Sequence, residues 1–133
     1  MQAYPVSVKG VVARDGRVLL LRNERQEWEL PGGRLELGET PRECVAREIA
    51  EETGWLVTAG PIIDAWMYHI AAAGRHVFIV TYGCELNPGQ EAREPVLSAE
   101  HQRVGLFTPA GITELVMPAG YRASIASWLA GRR

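Results

Sequence analysis

The sequence is short of cysteine, of long apolar runs and of basic excess, and each shortage excludes something. Its two cysteines, Cys44 and Cys84, stand forty positions apart with no partners at metal-ligand spacing, so two free thiols are expected rather than a disulfide. The longest apolar runs, such as Val77 to Val80, fall far below the roughly 20 residues needed to span a bilayer. The opening Met1-Gln2-Ala3-Tyr4-Pro5 has neither the basic nor the apolar segment of a secretory signal, which leads us to expect a cytoplasmic protein. A formal charge of −2 speaks against a broad surface for nucleic acid. It leaves an anionic small molecule open, because a divalent metal can carry the attraction. Internal repeats, linkers and low-complexity stretches are lacking too. The 133 residues, 47% of them hydrophobic, therefore read as a single domain, 1–133, able to bury a core without staples.

What is present is best marked in the first half. Val6 to Val12, Arg14-Asp15-Gly16-Arg17 and Val18 to Leu21 read as strand, Asp-Gly turn and strand. A charged loop from Asn23 to Glu27 leads to a short extended piece, Trp28-Glu29-Leu30. Pro31 holds Leu30 out of helical space, and Gly32-Gly33 permits unusual backbone angles. Thr40 then suits an N-cap, Pro41 the first helical position and Glu43 the third residue of a capping box. The helix runs through Glu52 or Thr53, and Gly54 stops it. Farther on, Ile62 to Ile70 and His76 to Cys84 read as strands turning near Ala73-Gly74, Asn87 to Pro95 as loop, Val104 to Phe107 as strand and Tyr121 to Leu129 as helix. This order predicts an α/β fold, a mixed β-sheet with helices packed on it.

At 100° per residue, Glu48, Glu51 and Glu52 fall within roughly a third of the circumference of the first helix. Val45, Ala46, Ile49 and Ala50 occupy the adjoining arc, which places the carboxylates at the seam between core and solvent. Like charges at this spacing repel, and Arg47 relieves part of the repulsion through Glu51, four residues on. A hard divalent cation would relieve more, since magnesium is commonly held by one or two carboxylates plus substrate phosphates. Without further signals, an amphipathic helix with a solvated Glu/Arg face would be the simpler reading.

The loop before the helix supplies those signals. Gly33, five residues, Glu39, seven residues, then Arg47-Glu48-Ile49-Ala50-Glu51-Glu52-Thr53-Gly54-Trp55 resembles the complete Nudix box. Seven fixed residue types at background frequencies near 7% match by chance at about 10⁻⁸ per start position. Trp55 stands where an aliphatic residue is usual but is still bulky and apolar. The resemblance implies an α/β/α sandwich and metal-dependent hydrolysis of a diphosphate linked to another moiety, with Mg²⁺ as the cofactor and Mn²⁺ as a substitute. By the same resemblance, Glu51, Glu52 and the Gly32 carbonyl would be metal ligands and Arg47 would orient the glutamates. Glu48 would be ligand or general base, and Glu39 ligand or supporting partner. Some relatives take the base from a downstream loop; Glu100 is the candidate here, with Glu94 behind it, although an exposed loop acid is the blander alternative.

Arg22 resembles a position that contacts substrate in some relatives, with a surface arginine beside Glu24 as the alternative. Trp28, Tyr68 and Phe78, together with Trp66, are candidates to stack on a base or sugar, though aromatic residues on strands more often belong to a core. His69 and His76 have no metal-binding spacing, and Cys44 suits a buried filler. The intact acid set favours an enzyme over a nucleotide-binding sensor, and Arg14, Arg17, Arg22 and Arg25 are too loosely clustered to favour an RNA substrate. A small nucleotide partner is expected, most simply a nucleoside triphosphate, oxidised forms included, giving nucleoside monophosphate and pyrophosphate. ADP-ribose or a nucleotide sugar ranks second, and the resemblance leaves room for a homodimer.

Overall fold

A computed structural model describes residues 1–132, Ala72 by its backbone alone. Strand β1 (Val6–Arg14) is the frame. It pairs in parallel with β6 (Arg75–Leu86) and antiparallel with β2 (Arg17–Arg22) and β4 (Gly32–Arg34). β3 (Trp28–Glu29) and β7 (Arg103–Phe107) both pair with β2, and β5 (Val57–Ile70) closes the other side against β6. Helix α1 (Pro41–Thr53) covers one face through Val45 and Ile49, with Val8, Val12, Leu19 and Tyr82 beneath it. The short α2 (Pro109–Ile112) and α3 (Ala119–Ala130) cover the other through Ile112, Tyr121 and Ile125. Alternate residues of β1 and β6 feed the two cores, as the period of two requires. The expected sandwich, a mixed sheet between helices, is what forms.

The Asp15-Gly16 turn forms with both residues at positive φ, and the capping box closes as Thr40 and Glu43 exchange hydrogen bonds. Gly54 ends α1 at φ 76°. Three elements differ from expectation. β5 starts at Val57, five residues early, because register shifts between Ala59, Ile62 and Asp64 absorb Gly60-Pro61, which reads as a break in sequence. Gly32-Gly33 is not free loop but strand β4, bound to β1. The turn α2, capped by Thr108, is too short to leave a periodic signal. Trp55 is fully buried under α1 and donates from its indole nitrogen to the Arg93 carbonyl at 2.7 Å, which explains a bulky apolar residue there.

Two glycines fix how closely these parts approach. A side chain on Gly10 would meet Ile49, Val45 and Cys84, so its absence lets α1 settle onto β1. Gly32 has φ 145°, and any Cβ there would collide with the Val8 carbonyl. Gly32→Ala is therefore expected to destabilise the fold by about 2–4 kcal/mol through strain and displacement of β4. Urea unfolding measures this, and a change below about 0.5 kcal/mol would contradict it.

Candidate active site

The capping box sets where α1 begins, and with it which way the carboxylates of its last two turns point. They lie near the C-terminal end, where the helix dipole disfavours negative charge, so they need compensation. Arg47 provides it. Its guanidinium grips Glu39 with two bonds of 2.9 and 3.0 Å and reaches Glu48 at 3.0 Å and Glu51 at 3.2 Å. Those hydrogen bonds from Arg47, with one from the Glu36 amide, hold the Glu39 carboxyl down at about 2. Both Glu39 oxygens are thereby engaged, which fits a support for Arg47 better than a metal ligand. Burial raises the Glu48 carboxyl against the pull of Arg47.

Glu52 has no arginine. It is buried and accepts the Gly32 amide at 2.8 Å, while His101 Nε2 stands 3.7 Å away. Burial pushes its carboxyl up to about 7 despite Lys9, the Gly32 amide and His101. Behind it lies a second acid, Glu29, whose carboxylate meets Asn23 Nδ2 at 2.7 Å, His101 Nε2 at 3.1 Å and Lys9 Nζ at 3.6 Å. Burial alone would raise Glu29, but Lys9, His101 and Asn23 outweigh it and hold the carboxyl at about 2. A buried charge of this kind is tolerable only when paired and hydrogen-bonded.

Glu48, Glu51, Glu52 and Glu100 line one cavity of about 290 Å³ with Ser98 and Ala99. Glu100 and Glu52 also border a second, of about 330 Å³, with Arg25, Glu29, Gly32 and His101. A third, about 150 Å³, continues past Arg25 and Glu29 to Lys9, Tyr68, Arg75 and Tyr121. The fold thus brings Glu100 to the helix carboxylates across the chain, and Tyr68 to the far end of the same groove. Glu94 instead pairs with Arg14 at 3.2 Å, away from the acids.

The other candidates are elsewhere. Trp28 packs edge-on against Phe107, ring centres 4.8 Å apart, within the core under α3. Phe78 pairs across strands with Met67, on the face opposite that of Tyr68 and Val77, so it does not reach the groove. Arg22 pairs with Trp28 and Arg103 in the sheet and lines none of these cavities; Arg25, three residues on, does. Cys44 is a buried filler against Val45 and Ile49, and His69 and His76 stack on each other at the surface. Sequence reasoning missed Lys9, Glu29 and His101. Lys9 and Glu29 carried a signal, a lone charge inside an apolar strand; His101 carried none.

Among the described residues no three His, Cys, Asp or Glu side chains are gathered as a ready metal cage. A hard divalent ion takes a few carboxylates and completes its shell with water and phosphate. Oxygen donors crowd one cavity, and Glu52 resists ionisation in the absence of a cation, so the residues fit such an ion.

Carboxylates on one helix, gathered at the edge of an α/β/α sandwich beside a polar groove, define a Nudix-type frame. A family model described as the NUDIX domain matches residues 3–129, and the chain belongs to the Nudix hydrolase family. Its members are enzymes that act on small compounds in which a nucleoside diphosphate is linked to another group, generally with divalent metal ions. A MutT-like protein of Streptomyces ambofaciens is 38% identical over 84% of this chain and 68% of its own. An ADP-ribose pyrophosphatase of Methanocaldococcus jannaschii is 29% identical over 74% of this chain and 69% of its own. The MutT protein of Methanosarcina mazei has the same fold, with TM-score 0.81 and 24% identity over 99% of this chain and 97% of its own. No helix among the described residues is long and apolar enough to cross a membrane.

The raised Glu52 carboxyl has a consequence for pH. Its protonated form stabilises the metal-free fold fully below about 4.5, and that contribution is lost as pH rises through about 7. A cation held by Glu52 would need the ionised form, so its binding would tighten as pH rises toward 7 and release a proton below it. Calorimetry with Mn²⁺ at pH 6 in buffers of different ionisation enthalpy should show close to one proton released, and less in Glu52→Gln. Equal heats in all buffers would contradict this.

Proposed function

We propose that the protein hydrolyses a nucleoside triphosphate to nucleoside monophosphate and pyrophosphate, with Mg²⁺ as its metal and Mn²⁺ as a substitute. The observation that carries this is the convergence of Glu48, Glu51, Glu52 and Glu100 on one cavity. Glu51, Glu52 and the Gly32 carbonyl, with Glu48, would hold the metal. When bound, the metal neutralises phosphate charge and acidifies water. The protein's own groups do the rest. The Gly32 amide fixes the Glu52 carboxylate, and Arg47 fixes Glu48 and Glu51. Glu100, which makes no ion pair or hydrogen bond among the described residues, is free to take the proton of the attacking water; Glu48 is the second candidate. The water oxygen bonds to phosphorus, the bridging P–O bond breaks, and pyrophosphate leaves with the electron pair. The nucleoside would extend from the acids past Arg25 toward Tyr68, whose hydroxyl donates to Glu27 at 2.6 Å.

Two features favour a triphosphate. The acids converge beside the polar groove, and the 38% identical relative is MutT-like. ADP-ribose is the second reading, favoured by the archaeal pyrophosphatase relative. A cytoplasmic location accords with either substrate.

A panel of nucleoside triphosphates, nucleotide sugars and dinucleotides with Mg²⁺ or Mn²⁺, both products identified, separates these readings. Triphosphates should give monophosphate and pyrophosphate, and Glu52→Gln should lower turnover by about 100-fold or more with the fold intact. Turnover of ADP-ribose alone would select the second reading. Binding without turnover of any member would overturn the enzymatic one.

A further inference from the structure

The segment that carries Glu100 is loosely held. Between β6 and β7 its outer ties are Val96 N to Thr53 O at 2.9 Å and Gln102 N to Arg22 O at 2.9 Å. Between those two, the one backbone bond among the described residues is local, His101 N to Ser98 O at 3.4 Å. Val96 and Leu97 are exposed, so apolar burial does not pin the segment. Glu100 is itself exposed and unpaired.

Two side chains of this segment turn inward: Ser98, whose Oγ is buried without a partner, and His101, whose side chain is 7% exposed. His101 Nε2 donates to Glu29 Oε2 at 3.1 Å, and its Nδ1 is buried without a partner, so its polar fixing comes from one nitrogen. The socket exists without the loop. Glu29 is held by Asn23 at 2.7 Å and Lys9 at 3.6 Å, and Arg25 lies 3.8 Å away. Lys9 belongs to β1, Glu29 to β3, and Asn23 and Arg25 to the β2–β3 connection, all outside the 98–102 turn. His101 is thus a plug in a prepared socket, one residue from the carboxylate at the cavity mouth.

We propose that His101 is a positioning residue: seated on Glu29, it holds the 98–102 turn so that Glu100 stays over the helix carboxylates. This rests on the reading of Glu100 as the proton acceptor. The competing role for His101 is direct, through its 3.7 Å approach to Glu52, and that role would alter metal binding rather than Glu100. A base misplaced by about 1 Å costs on the order of 100-fold in rate, so loss of the plug should be visible in kcat.

The test is a double-mutant cycle on the full chain with Mg²⁺, using His101→Ala, Glu100→Gln and both, and His101→Gln as the conservative variant. His101→Ala should lower kcat by about 10- to 100-fold, with KM and the Mg²⁺ midpoint changed less than about 2-fold. In the Glu100→Gln background the same change should cost less than about 2-fold, because the group it positions is gone. His101→Gln, which can still donate to Glu29, should recover much of the rate. In the metal-free protein, ¹⁵N order parameters of residues 98–102 should fall from about 0.85 to below about 0.6 in His101→Ala, with the helices unchanged. Penalties that multiply in the double variant, a shifted Mg²⁺ midpoint, or unchanged order parameters would overturn the positioning role. Near-normal kcat in Glu100→Gln alone would instead overturn the reading of Glu100.

Discussion

A single guanidinium, that of Arg47, lies within 3.2 Å of three carboxylates, Glu39, Glu48 and Glu51, and the acid cavity depends on it. Helix α1 would otherwise bring like charges together near its C-terminal end, where the dipole opposes them too. Glu39 turns Arg47 into a fixed fork, and Glu39 is itself held by the amide of Glu36. The clamp stops short of Glu52. That residue is fixed from the other side by the Gly32 amide, which faces it only because β4 lies flat on β1 with no side chain at Gly32. The spacing from glycine to arginine to glutamates is thus one mechanical unit, in which strand, loop and helix each hold one part of the next.

The buried ion pair of Lys9 and Glu29 follows from the same need. Taking two charges into the sheet costs desolvation, and replacing such a pair with apolar residues is often neutral or stabilising. Its presence under the groove is better explained by what it holds: Glu29 gives His101 a seat beside Glu52 and borders the cavity at Arg25. The site divides into an acid end on α1 and a mixed, aromatic end at Tyr68 and Tyr121, with Arg25 and Glu29 at the junction.

How much of this was legible depended on the range of the interactions. The limits of α1 were readable because caps are local: Thr40, Pro41, Glu43 and Gly54 each act within a turn of their own position. The carboxylate arc followed from helical geometry, and the Asp15-Gly16 hairpin from turn chemistry. The face of a strand residue was not readable. Tyr68 and Phe78 look equivalent in sequence, yet the β5–β6 register sends them to opposite faces. A bulge at Gly60-Pro61 hid the start of β5. His101 was missed because its partner Glu29 lies 72 residues away, and no spacing rule connects them. Arg25 rather than Arg22 borders the groove because Arg22 still belongs to β2, while the turn at Asn23 to Glu27 carries Arg25 back over Tyr68.

In the proposed mechanism the acids of α1, joined by the glycine strand, hold the divalent cation on which hydrolysis depends. The most direct test is anomalous diffraction from crystals equilibrated with Mn²⁺. A strong peak is expected inside the cavity bounded by Glu48, Glu51 and Glu52, within coordinating reach of the Gly32 carbonyl. A peak confined to other carboxylates, or none at saturating Mn²⁺, would contradict it.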